Sequence, residues 1–390
     1  MEPLILSPLQ IEDEYTLPTY AKPQVALVRG DNATVWDSEG RPYLDLYGGH
    51  CVAILGHCPP EVVEAVQKQA ETLLFYSNAM YSPVRAEAAE RLAALAPEGL
   101  KRSFFCNSGT EANETALKLA RAFTGRSKVV AMLGGFHGRT LGSLAVTSGE
   151  KYHKHYEAVL PATTFVPFDD APALGKALSG DDAAAVILEP IQSMAGVIEA
   201  AEVYYRQVRD LCDRHGTQLI FDEVQTGVGR TGTFSYSEHV GITPDLITLA
   251  KSLGSGVPVG AVLVGEHIAA TVKTGDQGTT FGGGMLAMAA VNATLATIEK
   301  YALMIRADVI YEVFAEEALD IVGVEDVRGR GALIGIQLDR PAKPVVESLR
   351  EQGVIVGGSD EPHTIRLMPP LTVPFESAET FGEALRKALD

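Results

Sequence analysis

What this chain lacks narrows its role before any motif is read. Basic residues are scarce: 32 lysines and arginines face 50 aspartates and glutamates, and the formal net charge of −18 would repel phosphate backbones and anionic membrane surfaces. No nucleic-acid partner is expected. No apolar run is long enough to span a bilayer, so no membrane partner is expected either. Four cysteines (Cys51, Cys58, Cys106 and Cys212), spread thinly and mostly in apolar contexts, argue for reduced, core-type thiols in a cytoplasmic protein. Cys51, His57 and Cys58 match no standard zinc spacing, so packing rather than metal binding is the reading of that group. The amino terminus, 1–8, breaks its apolar run with proline and has no basic residue before Lys22, unlike a signal peptide. Internal repeats and low-complexity segments are missing too.

What is present is an α/β pattern. A chain of 390 residues is long for one core, which predicts a large domain with a smaller companion. Strand-like runs at 25–28, 34–36 and 43–46 form a small lead-in meander that must pack on something else. Helical spacing follows at 60–74 and 83–95. From 102 to 264, β-like runs (103–106, 129–132, 164–166, 184–188, 218–221, 246–249 and 259–264) alternate with helical stretches at 111–123, 171–179 and 203–215. Such alternation predicts a mostly parallel sheet covered by helices. After Gly282-Gly283-Gly284 come helices near 285–300 and 305–318, then strands near 332–338, 353–356 and 364–367 with helices near 342–351 and 377–389. The division expected is therefore a segment, 1–50, packing with the small domain, a large domain at 51–284, and a small α+β domain at 285–390.

The stretch from Leu219 to Lys251 organises the chemistry. Leu219-Ile220-Phe221-Asp222 and Leu246-Ile247-Thr248-Leu249-Ala250-Lys251 each run from apolar to charged, and open α/β sheets bind ligands at the carboxyl ends of their strands. A lysine beside the glycine-rich 252–258 loop can be partly desolvated, lose its proton more readily and condense with an aldehyde. Asn107-Ser108-Gly109-Thr110-Glu111 opens a helix, and Ser108 with Glu111 fits a capping box. Its free amides would also suit a phosphate, and a plain helix cap is the alternative. Gly227-Val228-Gly229-Arg230-Thr231-Gly232 matches a dinucleotide fingerprint and raises a nicotinamide-dependent oxidoreductase as a rival. The fingerprint needs a strand just before it and a helix start at its third glycine, and this sequence offers neither. A strand-end carboxylate, a strand-end lysine and a phosphate-binding helix start are together what pyridoxal phosphate requires.

Six ordered motifs carry a resemblance over nearly the whole chain: Phe104–Glu114, Gly135-Phe136-His137-Gly138-Arg139-Thr140, Ile187-Leu188-Glu189-Pro190-Ile191-Gln192, Phe221–Gly227, Thr248-Leu249-Ala250-Lys251 and Thr279-Thr280-Phe281-Gly282-Gly283. They resemble the class III pyridoxal-phosphate aminotransferases of fold type I, and within them the acetylornithine and LysW-lysine aminotransferase group. The resemblance implies that Lys251 holds pyridoxal 5'-phosphate and later shuttles a proton, while Asp222 pairs with the pyridine nitrogen. It places Ser108, Gly109 and Thr110 on the phosphate, Phe136 and Val224 on the two ring faces and Gln225 on the ring hydroxyl. His137 and Glu189 join the cofactor site, and Thr280 reaches in from the second subunit of a homodimer. Arg139 would bind the carboxylate remote from the reacting amine, Arg366 the α-carboxylate of glutamate or 2-oxoglutarate, and Tyr20 would stand at the substrate mouth.

Two departures bear on substrate. Ser193-Met194 stands where many relatives place a glutamate that covers the second arginine, so Arg366 is expected to lack cover while an ω-amine is bound, with Met194 making that side apolar. Gly284-Met285 replaces the Asn-Pro common in the acetylornithine group. The expected reaction passes an amino group from an ω-amine donor, acetylornithine or carrier-linked lysine, to 2-oxoglutarate. The alternatives are a broader ω-transaminase for diamines, 4-aminobutyrate or simple amines, and a protein of the same fold that only binds a ligand.

Overall fold

A computed structural model describes residues 7–390; most of the proline-broken amino terminus, residues 1–6, lies outside the described residues. Seven strands form the central sheet, in the order Arg102–Cys106, Gly260–Val264, Leu246–Leu249, Gln218–Asp222, Ala183–Leu188, Lys128–Met132 and Thr163–Val166. Only Gly260–Val264 runs against its neighbours. Parallel neighbours need long crossover connections, and these lay helices over the sheet. Accordingly Ala183–Leu188, Gln218–Asp222 and Leu246–Leu249 are buried at every position, which is why they read as unbroken apolar runs rather than alternating ones. Helix Gly109–Thr124 spans one face, burying Ala112, Ala116, Leu117 and Ala120 against the sheet strands, and ends at Gly125 in the left-handed conformation.

The lead-in meander finds its partner at the far end of the chain. Strands Leu27–Asp31, Thr34–Asp37 and Pro42–Asp45 pair antiparallel, and Val354–Ile355 adds in parallel beside Pro42–Asp45. A second antiparallel sheet joins Val324–Arg330, Leu333–Leu338 and Thr364–Leu367, with helix Arg306–Leu319 packed on it and on Ser377–Leu389. Helix Met285–Lys300 buries residues on most of its circumference because it lies against Pro60–Thr72, Pro83–Leu95 and the turn that begins at Lys251. No helix among the described residues is long and apolar enough to cross a membrane.

Besides several short helices of four to six residues, a longer helix, a strand and a hairpin were not expected from the sequence. Helix Pro8–Tyr15 buries none of its residues, so it has no apolar stripe to read, only a Ser7/Gln10 capping box. Strand Val324–Arg330 buries only Val327. The hairpin of Ile191–Gln192 with Ile198–Glu199 is two residues deep on each side.

Candidate active site

The parallel register that sets Asp222 opposite Thr248 brings the carboxyl ends of two central strands to one edge of the sheet. A cavity of about 580 Å³ opens there. Tyr20, Ser108, Gly109, Thr110, Phe136, His137, Arg139, Glu189, Asp222, Val224, Gln225 and Lys251 all line it. Three other residues singled out in the sequence do not: Thr280 lies on an exposed turn, Met194 is half-buried in the turn of the hairpin Ile191–Gln192 with Ile198–Glu199, and Arg366 is buried.

Asp222 is held by three donors. Its Oδ2 accepts from Asn113 Nδ2 at 2.7 Å and from His137 Nδ1 at 2.8 Å, and its Oδ1 accepts from the Val224 amide at 3.1 Å. Asn113 is itself fixed, since its Oδ1 accepts from Thr248 Oγ1 at 2.8 Å and its Nδ2 also reaches the His137 carbonyl at 2.7 Å. All four side chains are buried, so the carboxylate cannot swing.

Lys251 follows strand Leu246–Leu249 after one residue, Ala250. Its φ of +39° lies in the left-handed region that non-glycine residues rarely occupy, a strain typical of functional positions. Burial holds its ammonium below the usual range; the acidic groups Cys51, Asp222 and Glu189 oppose this, and Arg366 adds to it. Glu189 is pushed up, first by burial; the His137 charge opposes this and the Asp222 charge adds to it, and its Oε1 accepts from the Phe136 amide at 2.8 Å.

The helix start beside them is a shaped cradle. Ser108 Oγ caps the Glu111 amide at 3.4 Å, but Glu111 turns back to the Asn107 amide at 2.7 Å rather than closing the reciprocal capping box on Ser108. The amides of Gly109 and Thr110 belong to the first turn, which has no intrahelical acceptors for them. A Cβ at Gly109 would stand 2.9 Å from Val224, and one at Gly138, where φ is +129°, would collide with Thr110 Oγ1. Both glycines are therefore required for the cradle's shape.

The arginines differ in setting. Arg139 is exposed, its guanidinium carbon 4.9 Å from the Tyr152 ring centre and 5.9 Å from that of Phe136. Arg366 is 1% exposed, donating from Nε to the Gly358 carbonyl at 2.6 Å, from Nη1 to Ser193 Oγ at 2.9 Å and from Nη2 to the Tyr47 hydroxyl at 3.1 Å. The expectation that Arg366 lacks cover is corrected here: neutral oxygens take the place of the missing glutamate. The Tyr47 hydroxyl also bonds His50 Nδ1. Burial, then Lys251 and Arg366, lower the imidazole of His50 to about 4, so this cavity-lining ring is neutral near pH 7.

Asn113, Thr248, Tyr47 and His50 escaped the sequence reading. For the last two a signal was present in Gly48-Gly49. Gly48, Gly49, His50 and Cys51 all have positive φ, forming a left-handed turn whose amides at Tyr47, Gly48 and Gly49 are held by Asp45 at 2.9, 3.0 and 2.9 Å. A further correction concerns Cys58, which is exposed rather than part of the core. The 227–232 turn is followed by no long helix, the next being the four-residue Ser237–Val240, so the dinucleotide context is missing.

A lysine amine with weakened hold on its proton, a carboxylate locked at a strand end, an open helix start and a gap between Phe136 and Val224 fit pyridoxal phosphate as a donor set. Fold and site together define a pyridoxal-phosphate transferase. Residues 16–389 match the family model described as Aminotransferase class-III, and the chain belongs to that family. It is 45% identical over 385 residues to the acetylornithine aminotransferase of Methanopyrus kandleri, covering 97% of this chain and 98% of that one. Identity to the acetylornithine aminotransferase of Methanosarcina acetivorans is 41%, over 98% and 96% of the two chains. Among solved structures, the ornithine aminotransferase of Toxoplasma gondii, with partial occupancy of PLP at its active site, superposes with a TM-score of 0.91 at 29% identity over 97% of this chain and 93% of that one. The acetylornithine aminotransferase of Elizabethkingia anophelis gives 0.85 at 30% identity over 97% of each chain. The protein is thus an aminotransferase with pyridoxal 5'-phosphate as its cofactor, taking an amine donor and a 2-oxo acid.

Proposed function

We propose that the protein moves the terminal amino group of an ω-amine donor to 2-oxoglutarate, giving an aldehyde and glutamate. Acetylornithine, or a lysine carried on another molecule, is the donor class. The observation that carries this reading is the pair of guanidiniums around Lys251, Arg139 and Arg366, neither with a carboxylate within ion-pair distance among the described residues. Two waiting cations suit acceptors and donors that bring carboxylates of their own. The relatives named acetylornithine aminotransferase support the same donor.

Bound pyridoxal phosphate supplies an electron sink for the charge left when the substrate carbon gives up its proton. Lys251 would hold the cofactor through its amine, and Nζ would then carry that proton between substrate carbon and cofactor. Asp222, fixed by Asn113 and His137, would keep a proton on the pyridine nitrogen. The Ser108, Gly109 and Thr110 cradle would take the phosphate, Phe136 and Val224 would clamp the ring, and Gln225 would meet its hydroxyl, with Glu189 beside it. Arg139 would bind the remote carboxylate near Tyr20, and Arg366 the α-carboxylate, with Met194 shaping that wall.

We further infer a homodimer in which Thr280 completes the partner's phosphate site. Leu73, Leu74, Phe75, Tyr76, Met80, Tyr81 and Phe281 expose large apolar side chains, with Phe75 and Phe281 ring centres 5.1 Å apart, as a surface meant for a second copy would. Pairing of the lead-in strands with Val354–Ile355 supports grouping 1–50 with the 285–390 domain, the helix Met285–Lys300 bridging to 51–284. The sparse, unpaired cysteines support a cytoplasmic setting. A donor screen tests the function. Loss of the cofactor's visible band on mixing should be fastest with acetylornithine or carrier-linked lysine, and equal rates with 4-aminobutyrate and simple amines would establish the broader ω-transaminase instead.

A further inference from the structure

Asp360 sits on the turn between Val354–Ile355 and Thr364–Leu367, outside the cavity, yet it touches the supports of both arginines. Towards Arg139, its Oδ1 accepts from Lys151 Nζ at 2.7 Å and its Oδ2 from the Tyr152 hydroxyl at 3.1 Å. The Tyr152 ring in turn stands edge-on to Phe136, 5.7 Å between centres, and carries the Arg139 guanidinium over its face. Towards Arg366, the Asp360 amide donates to the Met194 carbonyl at 2.7 Å. Met194 adjoins Ser193, whose hydroxyl accepts from Arg366, and Gly358, two residues before Asp360, supplies the carbonyl for Arg366 Nε.

We infer that Asp360 is a positioning residue that ties the carboxylate grips of Arg139 and Arg366 into one unit of fixed spacing. The inference rests on the reading that these arginines bind substrate carboxylates. The ties themselves contribute little to stability, because Lys151 is 59% and Asp360 36% exposed and ion pairs in such settings are screened. Their effect is on geometry. An exposed cation such as Arg139 reads a carboxylate only if the ring beneath it is held, and Tyr152 is anchored through its hydroxyl to Asp360. A substrate with carboxylates at both ends needs the two grips at the right separation, and small misplacements of such grips are costly.

Asp360→Asn keeps the side-chain shape and the backbone tie while removing the charge that holds Lys151 and leaving one acceptor oxygen where two served Lys151 and Tyr152. The holoenzyme variant should show a KM for 2-oxoglutarate raised about three- to tenfold, with kcat and the half-reaction of a carboxylate-free monoamine unchanged. Asp360→Glu should recover part of the loss, and Tyr152→Phe in the Asp360→Asn background should add little. Thermal midpoints should stay within about 2 °C. Equal losses for monoamine and dicarboxylate, or a lowered thermal midpoint, would make Asp360 merely structural and overturn the inference. An unchanged KM in Asp360→Asn beside a raised KM in Arg139→Ala would overturn it while leaving the carboxylate reading intact. No carboxylate-specific change in Arg139→Ala would remove that reading itself.

Discussion

Arg366 keeps a full charge in a nearly dry place on the strength of three neutral oxygens. Ser193 Oγ, the Tyr47 hydroxyl and the Gly358 carbonyl each take one donor direction of the guanidinium, which lowers the cost of burying it when no substrate carboxylate is near. Removing one leaves a buried donor unpaired, at about 1–3 kcal/mol. Ser193→Ala should therefore slow the single-turnover reaction with an ω-amine roughly five- to 150-fold while glutamate, whose α-carboxylate would cover Arg366, loses less. Stopped-flow rates for the two donors measure this, and equal slowing would show that Ser193 does not serve as cover. At this scale the sequence showed Asp222 and Lys251, because a charged residue ending an apolar strand is visible in one dimension. Tyr47, Asn113 and Thr248 were not visible, since they act through side-chain bonds to residues 319, 109 and 135 positions away.

The turn that follows strand Gln218–Asp222 depends on Glu223, which points away from the cavity as the alternation along a strand requires. It is 1% exposed and accepts from the Tyr236 amide at 2.7 Å, from Thr226 Oγ1 at 3.3 Å and from Ser235 Oγ. Burial outweighs these donors and pushes its carboxyl up to about 7. The folded chain thus keeps this proton over a range, from the ordinary carboxylate value near 4.5 to about 7, in which the unfolded chain has released it. The stabilisation is complete below that range and is lost as pH rises through it, at most about 3 kcal/mol. Glu223→Gln should flatten this decline, as read from denaturant midpoints between pH 5 and 8; a decline equally steep in the variant would assign it to other groups. Elements of this kind were legible in so far as they were apolar. The central strands were visible as unbroken apolar runs and the helices at 109–124, 202–215 and 285–300 as long apolar-rich stretches between turn residues, whereas Pro8–Tyr15 and Val324–Arg330 bury too little to leave a pattern.

Over the whole molecule, the site is assembled from distant parts of one chain: the 45–51 turn, the 106–110 helix start, the 135–139 loop, the 222–225 strand end, Lys251 and the far strand that holds Arg366. The family resemblance named all of these parts but the 45–51 turn in advance, because its motifs are ordered along the chain although they meet only in the fold. It did not supply the hydroxyl cover of Arg366 or the Asp360 turn. The central claim, an aminotransferase that works through Lys251, is tested most directly by the visible spectrum of the purified holoprotein. A band should be present, fall when acetylornithine is added, return with 2-oxoglutarate, and be abolished in Lys251→Ala; a band that survives that substitution and ignores both substrates would contradict it.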